Sequence, residues 1–362
     1  MKILHLIKRF DFGGAETHVC ELANELVQLG NEVWLISGKG RQWNRLLPGV
    51  ICNSVTFSEW NTLFLLYKIV KLIRQEQIDV IHAHQRFTIL LATVAGLLTK
   101  TPVVATVHGS TIHDLRTGFV KRNISRLIVI SENSYSIQQH RPVFRNKLHM
   151  IPNGFVIPVA ECSGNHRYPP FNLFYVSRMD YLHAYLLLKI ITKVWPHLVE
   201  KHPGSSLHIV GDGRGLKKIN EVLSDSSYHK WRNSVVCERY AADVSPHYRK
   251  ADLVLGVGRV VGESLSYGVP TLSINYNHQG PLLTRDNFEE ICFSNFVAIN
   301  SPPPNPEELL QNLEEFCARS AYYKQEAIHL QKVIAQRFNI RNIVQKTEDL
   351  YRDACCQYEF RK

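Results

Sequence analysis

The two halves of this sequence repeat one pattern, in which a short apolar strand leads through a loop into an amphipathic helix. In the first half, Lys2–Ile7 predicts a strand and Thr17–Gly30 has helical spacing. In the second half, Phe171–Val176 predicts a strand and Ala184–Glu200 a helix. Strands that alternate with helices pair in parallel, so the pattern predicts an α/β protein with a parallel sheet in each half.

The length of the chain also indicates two domains, because 362 residues exceed what one hydrophobic core usually serves. The segment Val156–Pro170 contains three prolines and no periodicity, as is typical of a linker. We therefore expect a first domain over residues 1–160, a second over residues 168–340 and a C-terminal helix over residues 341–362.

The charge of the chain is concentrated in its first half. Residues 1–165 carry 18 Lys and Arg against 11 Asp and Glu, a net +7 of the total +10. Basic residues alternate with apolar ones over residues 116–126, and a second basic group lies at residues 141–147. This pattern favours contact with an anionic membrane surface, although a solvated basic face explains each group equally well. No nucleic-acid-binding motif accompanies the charge, so we expect no nucleic-acid partner.

The cellular compartment of the protein is predicted from the membrane-spanning, signal-peptide and cysteine motifs that the sequence lacks. The longest apolar run, Ile89–Leu98, is about half of the roughly 20 residues that cross a bilayer. The N-terminus has no small-residue cleavage site after its short apolar stretch. None of the eight cysteines stands in C-x-x-C spacing, which favours free thiols. We expect a cytoplasmic protein, peripheral at the inner face of the membrane.

Residues 251–270 indicate a ligand pocket at the carboxyl edge of the second sheet. A predicted strand there leads into Gly256 and Gly258, which allow a ligand to approach the backbone closely. Glu263 follows at the predicted start of a short helix. It is either a ligand-binding carboxylate or a residue that stabilises the first turn of its helix electrostatically.

The first half offers two further candidates. Gly13 and Gly14 precede a helix N-terminus, where backbone N–H groups can bind phosphate, but they do not form a G-x-G-x-x-G fingerprint. His82 and His84 point to one face of a predicted strand, and His108 ends the next one. No third metal ligand is evident near the pair in the sequence, so we expect no metal site.

In their order along the chain, nine short segments resemble the family 4 glycosyltransferases of the GT-B fold. They are Gly13–Glu16, Asp79–His84, Thr106–Gly109, Val129–Ser131, Ile151–Gly154, Val176–Asp180, Ile209–Gly213, Ala251–Asp252 and Glu263–Pro270. The resemblance implies two Rossmann-like domains facing across a cleft, with the C-terminal helix packing back toward the N-terminal domain. It also implies a retaining hexosyltransferase that needs no metal and no cofactor.

The resemblance implies a role for each candidate residue. Gly13 and Gly14 match a loop near the donor phosphates, and Arg178 matches an arginine that pairs with the diphosphate. Glu263 matches a glutamate that binds the ribose of the nucleotide, and His108 matches a histidine near the reacting sugar. His108, Arg178 and Glu263 are therefore the predicted catalytic residues.

This chain departs from the family pattern at two positions. His183 stands where the family usually has a lysine, so it offers less charge to the leaving group. Leu255 stands where a second glutamate usually contacts the donor sugar, although Gly258 of that segment is kept. Arg259, next to Gly258, is predicted to offer a second cation to the phosphates.

The sequence thus predicts an enzyme that moves a sugar from a UDP- or GDP-sugar to a glycan or lipid-linked acceptor, in cell-envelope polysaccharide or lipopolysaccharide synthesis. Two alternatives remain open. One is a sugar-nucleotide epimerase of the same fold, which would need further carboxylates for proton transfer. The other is a non-catalytic partner subunit, which the departures at His183 and Leu255 favour.

Overall fold

The computed structural model describes residues 1–109, 118–158, 171–241 and 243–359. The chain divides into two compact units. Unit 1 contains Met1–Gly154 and Ile340–Lys362, and unit 2 contains Phe155–Asn339. The C-terminal segment after residue 339 is therefore part of the first unit. Most of the predicted linker, from residue 159 to 170, lies outside the described residues.

Strands and helices alternate through both units. The strands are β1 (Lys2–Ile7), β2 (Glu32–Ser37), β3 (Val50–Ser54), β4 (Val80–His84), β5 (Val103–Val107), β6 (Arg126–Val129), β7 (Leu148–Met150), β8 (Asn172–Val176), β9 (Ser206–Val210), β10 (Val235–Glu238), β11 (Leu253–Gly256), β12 (Thr271–Ile274) and β13 (Gln279–Leu282). The helices are α1 (Gly14–Gln28), α2 (Thr62–Glu76), α3 (Arg86–Thr99), α4 (Gly118–Asn123), α5 (Glu132–Gln139), α6 (Tyr181–Lys189), α7 (Trp195–Lys201), α8 (Leu216–Ser224), α9 (His229–Arg232), α10 (Ser245–Lys250), α11 (Arg259–Ser266), α12 (Phe288–Phe293), α13 (Pro306–Ala318), α14 (Ser320–Arg337) and α15 (Ile340–Glu359).

Unit 1 is built on a seven-stranded parallel sheet in the order β3-β2-β1-β4-β5-β6-β7. Successive residues of a strand face opposite sides, and in β1 both sides are apolar. Ile3 and Ile7 pack in one core with residues of α1 and α15, whereas Leu4 and Leu6 pack in another with residues of α2 and α3. A parallel sheet covered on both faces explains why these strands read as continuous apolar runs in the sequence.

Unit 2 is built on a six-stranded sheet in the order β10-β9-β8-β11-β12-β13, parallel except for the antiparallel β12–β13 pair. Its largest core lies on the side of α6, α7, α8 and α13. A π-helical turn over Ile190–Val194 joins α6 to α7, so the single helix predicted over Ala184–Glu200 is observed with a local irregularity.

The sequence did not indicate β3 and β13, which are two of the four edge strands of the described sheets. Strand β13 contains Gly280 and Pro281, and a proline in the middle of a short run argues against a strand. It is tolerated because β13 pairs on one side only, at the edge of the sheet. Edge strands therefore escape prediction more easily than the central strands, whose two covered faces require apolar residues throughout.

The central glycine of α11 provides a test of core packing in unit 2. A Cβ atom on Gly262 would lie 2.1 Å from Cζ of Phe155. We predict that Gly262→Ala lowers the free energy of unfolding by about 1–3 kcal/mol, because the buried ring has little room to move. Urea unfolding measures the change. Gly109→Ala is the matched control, since no described heavy atom lies within 4 Å of its added Cβ. Equal stability of the two variants would contradict the prediction.

Candidate functional site

In unit 2 the predicted donor-binding residues surround the point where the strand order reverses. Strand β8 comes first in the sequence yet lies in the middle of the sheet, between β9 and β11. Loops that leave β8 and β11 at their carboxyl ends run in opposite directions and open a crevice where α/β proteins bind ligands. Arg178 follows β8, and Gly258 and Arg259 follow β11. The sequence thus brings two of its predicted donor-binding segments to one edge of the sheet.

Glu263 lies in the middle of α11, as the fifth of its eight residues. The expectation that it starts the helix is wrong, because α11 already begins at Arg259. Stabilisation of a first helical turn therefore does not explain this carboxylate. Its side chain is 18% exposed, so it is largely enclosed but still reachable.

Both carboxylate oxygens of Glu263 accept a hydrogen bond. Nε of Arg259 donates to Oε1 at 2.5 Å, and the hydroxyl of Tyr248 donates to Oε2 at 3.0 Å. A carboxylate has about four lone-pair sites, so each oxygen retains capacity for one more donor. Two neighbouring hydroxyls, such as those of a ribose, match that capacity.

The guanidinium of Arg259 is not directed to solvent. Its side chain is only 6% exposed, is paired with Glu263 one helical turn away and lies 5.3 Å from the ring centroid of Phe155. In this arrangement the arginine orients the carboxylate. A direct contact between Arg259 and a phosphate, as predicted from the sequence, stays a prediction.

Tyr248 also contributes to this site, although no motif in the sequence marks it. It lies in α10 and is 1% exposed, and its hydroxyl reaches the glutamate from outside α11. Burial raises its pKa well above the usual value, and the charge of Glu263 raises it further. The phenol is therefore a permanent hydrogen-bond donor to the carboxylate at physiological pH.

Arg178 and His183 both lie next to Asp180, the N-cap of α6. Oδ1 of Asp180 accepts hydrogen bonds from the backbone N–H groups of Leu182 and His183 and lies 3.1 Å from Nδ1 of His183. Burial lowers the pKa of His183, the Asp180 carboxylate opposes that shift, and Arg178 adds to it. The imidazole is consequently neutral at pH 7. Arg178 is 65% exposed, with its guanidinium 3.9 Å from Asp180.

The loop after β11 has an unusual backbone. Gly258 has φ +63°, and its N–H donates to the carbonyl of Phe296. Asn295 and Phe296 also have positive φ values, of 57° and 60°, which are costly for residues other than glycine. Leu255, by contrast, is fully buried in the core and presents no polar group to a ligand.

In unit 1 the glycine loop precedes helix α1 directly. Gly13 has φ +155°, and a Cβ atom there would lie 2.4 Å from a carboxylate oxygen of Glu16. Gly14 is the first residue of α1. The side chain of Gln85 bridges to this loop, since its amide donates to Glu16 and its carbonyl oxygen accepts from the backbone N–H of Lys8. The carboxyl ends of β1 and β4 are thereby tied together next to the glycines.

His108 ends a row of imidazoles that runs through the core of unit 1. Nε2 of His108 lies 3.1 Å from Nδ1 of His84, and Nε2 of His84 lies 3.3 Å from Nδ1 of His5. His5 and His82 are paired in the β1–β4 register, and all three strand histidines are fully buried. They lie on the face of the sheet covered by α1 and α15, where Tyr351 contacts His82.

The expectation that His82 and His84 have no third imidazole nearby is wrong, because His5 brings its ring nitrogen within 4.8 Å of both. Both nitrogens of His82 already have partners, namely the hydroxyls of Tyr351 at 2.5 Å and Thr106 at 2.7 Å. A metal ion bound by these three histidines would have to displace one of these hydroxyls. The group is thus a hydrogen-bonded cluster whose residues are of a type that can bind metal.

Burial lowers the pKa of the strand histidines strongly. The pKa of His5 falls to about 3 because the imidazole is desolvated. The pKa values of His82 and His84 are also well below the usual range, mainly through burial and further through the neighbouring histidines. All three are neutral in the folded protein at neutral pH.

The amino-acid sequence of the chain is similar to those of glycosyltransferases. Residues 12–157 match the family model described as Glycosyltransferase Family 4. The chain is 23% identical over 274 residues to an Escherichia coli UDP-Gal:α-D-GlcNAc-diphosphoundecaprenol α-1,3-galactosyltransferase, an alignment that covers 66% of this chain and 68% of that enzyme.

Solved structures of similar fold span almost the whole chain. Anabaena Alr3699/HepE, solved in complex with UDP-glucose, has a TM-score of 0.72 at 19% identity and covers 98% of this chain and 100% of its own. A glycosyltransferase from Rickettsia africae ESF-5 has a TM-score of 0.73 at 16% identity, with 97% and 98% covered. The predicted fold, α/β with two Rossmann-like domains of the GT-B type, is confirmed.

Because its buried histidines are neutral, we predict that unit 1 becomes less stable as the pH falls. The unfolded chain protonates them near pH 6.5 whereas the native state does so only far lower, for His5 at about pH 3. Between those values the unfolded state binds more protons, so stability falls as the pH falls, by about 1.4 kcal/mol per pH unit for each histidine.

We therefore expect His5→Gln to flatten this slope by about 1.4 kcal/mol per pH unit between about pH 6 and pH 4. Urea unfolding across this range measures it, with hydrogen exchange of peptides from β1 and β4 assigning the transition to unit 1. His140→Gln is the matched control, because His140 is exposed in the same unit. A slope that His5→Gln leaves unchanged would show that His5 titrates equally in both states.

Proposed function

We propose that this chain of GT-B fold is a family 4 glycosyltransferase, and that it transfers a sugar from a UDP-sugar to a lipid-linked glycan acceptor with retention of anomeric configuration. The choice of UDP rests on the name of the Escherichia coli relative and on the neighbouring structures solved with UDP. The choice of a diphosphate-linked lipid acceptor rests on that same relative.

The observation that carries the proposal is the enclosed carboxylate of Glu263 at the switch point of unit 2. Arg259 and Tyr248 fix its two oxygens from two different helices, so it is held in place before any ligand binds. Preorganised acceptors of this kind bind adjacent ribose hydroxyls without a reorganisation cost. A carboxylate that served only to pair Arg259 would not need a second, buried donor.

The leaving group in this reaction is a nucleoside diphosphate, which gains negative charge as the glycosidic bond breaks. In our proposal Arg178 pairs with that charge, since its exposed fork of N–H groups suits a diphosphate. The N-terminus of α11, whose N-cap residue is Gly258, adds its backbone dipole at the same edge of the sheet. We propose that no metal ion takes part in this step.

Unit 1 holds the acceptor in this proposal, and His108 lies near the reacting sugar. The loop of Gly13 and Gly14 is assigned to the donor phosphates, as the family resemblance implies. We further propose that the protein acts at the cytoplasmic face of the membrane in cell-envelope polysaccharide or lipopolysaccharide synthesis, where a polyprenyl diphosphate acceptor would be available. Among the described residues, no helix is both long enough and apolar enough to cross a bilayer.

The experiment that tests the function combines donor binding with transfer. The protein is titrated with UDP, GDP and their hexoses, and then assayed with a polyprenyl diphosphate-linked sugar with and without EDTA. We expect UDP binding, and transfer that EDTA does not inhibit and that forms the anomer of the donor, identified by NMR. Interconversion of UDP-sugars without acceptor would indicate the epimerase instead. Absence of nucleotide binding would indicate the partner subunit.

Glu263→Gln tests the carboxylate within that experiment. We predict that UDP affinity falls by at least about tenfold, because the amide accepts hydrogen bonds more weakly and cannot balance Arg259. Calorimetric titration measures the affinity, and thermal melting checks that unit 2 remains folded. Glu221→Gln, an exposed substitution of the same kind on α8, is the control. Unchanged UDP affinity in Glu263→Gln would remove the carboxylate from the donor site.

Restoring the lysine that the family usually has at position 183 provides a second test. His183→Lys places a fixed positive charge beside Asp180 and close to Arg178. We predict UDP binding about three- to tenfold tighter at low salt, with the gain reduced at high salt because the added charge is screened. His183→Gln, which stays neutral, is the control. A lysine variant that binds UDP no more tightly than the glutamine variant would place residue 183 away from the diphosphate.

A further inference from the structure

Helix α2 of unit 1 has two apolar sides, of which only one is buried. Leu65, Ile69 and Ile73, spaced at every fourth residue, are 1–3% exposed and pack in the core beneath the sheet. Leu66, Val70 and Leu72 are partly buried against the same core, so these six residues account for the attachment of α2 to the fold. The exposed apolar residues of the segment require another explanation.

Four large apolar side chains project from the other side of this segment. Trp60 is 100% exposed, Leu63 82%, Tyr67 62% and Phe64 57%. Positions 63, 64 and 67 follow helical spacing within α2 and therefore lie on one face, and Trp60 lies in the 3-10 turn Glu59–Asn61 that leads directly into this helix. Scattered single apolar residues are normal on protein surfaces, but three aromatic rings and a leucine within eight residues form a patch that marks an interaction site.

Between Glu59 and Glu76, which flank the segment, all the charged residues are positive. Residues 60–75 contain Lys68, Lys71 and Arg74 and no acidic residue, and all three cations are exposed. Nζ of Lys68 lies 4.6 Å from the ring centroid of Phe64, so the positive charge is in contact with this aromatic ring. The neighbouring helix α3 exposes Leu90, Leu97 and Leu98 in addition.

Two of the basic residues that the sequence first suggested for membrane contact, Arg126 and Lys147, are engaged in contacts within unit 1. Residues 110–117 lie outside the described residues. Arg126 is 3% exposed and pairs with Asp353 of α15. Nζ of Lys147 donates to the carbonyls of Lys121 and Arg122 at the end of α4, where a cation is favourable. Among the residues that the structure describes, α2 is the better candidate.

We propose that the outer face of α2, comprising Trp60, Leu63, Phe64, Tyr67, Lys68 and Lys71, binds the surface of an anionic lipid bilayer. The apolar side chains enter the boundary between headgroups and acyl chains, while the lysines contact lipid phosphates. This inference rests on the proposed function, because a lipid-linked acceptor has to be reached from the membrane surface.

A bilayer fits this face better than a protein partner for two reasons. Tryptophan and tyrosine favour the membrane interface, where one end of the ring is apolar and the other hydrated. The exposed cations of α2 complement a continuous anionic surface, and each basic residue near such a surface adds to binding. The face lies parallel to one helix axis, as an interfacial helix requires.

The test uses the full chain and lipid vesicles that contain neither donor nor acceptor, so that binding does not depend on catalysis. Vesicles of phosphatidylcholine alone are compared with vesicles that also contain phosphatidylglycerol, in co-sedimentation at low and high salt. We expect binding to the anionic vesicles that weakens with salt. Trp60→Ser/Leu63→Ser/Phe64→Ser should reduce vesicle affinity by at least roughly tenfold.

A matched control replaces three exposed apolar residues elsewhere in unit 1. Ile51→Ser/Ile137→Ser/Met150→Ser removes side chains that are 47%, 46% and 40% exposed but do not lie together on α2. We expect this variant to bind vesicles as the unaltered protein does. Lys68→Gln/Lys71→Gln should lose most of the salt-sensitive part of the binding. Quenching of tryptophan fluorescence by brominated lipids should disappear in Trp60→Phe.

Three outcomes would overturn the proposal. The first is no binding of the unaltered protein to anionic vesicles even at low salt. The second is equal binding by the two triple-serine variants. The third is a self-association that the α2 variant abolishes without any vesicle binding, which would make this face a protein interface. UDP binding by the α2 variant is measured in parallel, so that misfolding, or failure of the proposed function, is distinguished from failure of the membrane surface.

Discussion

The carboxyl ends of parallel strands all lie at one edge of a sheet. The placement of the candidate residues in both units of this protein depends on that constraint. The first strand of each unit, β1 or β8, lies inside its sheet. The following strands are therefore added first on one side of it and then on the other. The loops that leave the two central strands then diverge. Gly13 in unit 1 and Arg178 in unit 2 follow those central strands, which explains why residues far apart in sequence gather at one edge.

In the function proposed above, Glu263 couples donor binding to the stability of unit 2. The carboxylate that the proposal assigns to the ribose also balances the charge of Arg259, an arginine packed against Phe155 in the core. A buried ion pair of this kind is costly to break from either side, because the remaining charge loses its partner in a poorly solvated place. Substitution at this position therefore affects both donor binding and folding, and the two effects have to be measured separately.

The sequence predicted the central strands, the long helices and the positions of the loops, because burial on both faces of a sheet leaves a continuous apolar signal. Strand β1, for example, has the predicted bounds Lys2–Ile7. The sequence could not predict features that depend on tertiary register. His5 looked like one more residue of an apolar strand, and only the pairing of β1 with β4 places it opposite His82.

Site residues could be predicted where they belong to a local sequence motif. They could not be predicted where only tertiary packing places them at the site. The expectation that Glu263 starts its helix is wrong, because α11 begins directly after Gly258 and four residues before the glutamate. Tyr248 had no local signal, since its partner is supplied by another helix. The exposure of Trp60 and Phe64 could not be predicted either, because apolar residues at helical spacing are normally expected to be buried in the core.

Unit 1 is discontinuous in the chain, which has a consequence for its biosynthesis. Its last helix, α15, follows the whole of unit 2, and the hydroxyl that contacts His82 belongs to Tyr351 of that helix. A ribosome therefore releases the first sheet long before the segment that covers one of its faces has been made. Until then the imidazole row and the apolar residues around it remain accessible to water and to chaperones. The half of the protein that is translated first is thus the half that matures last.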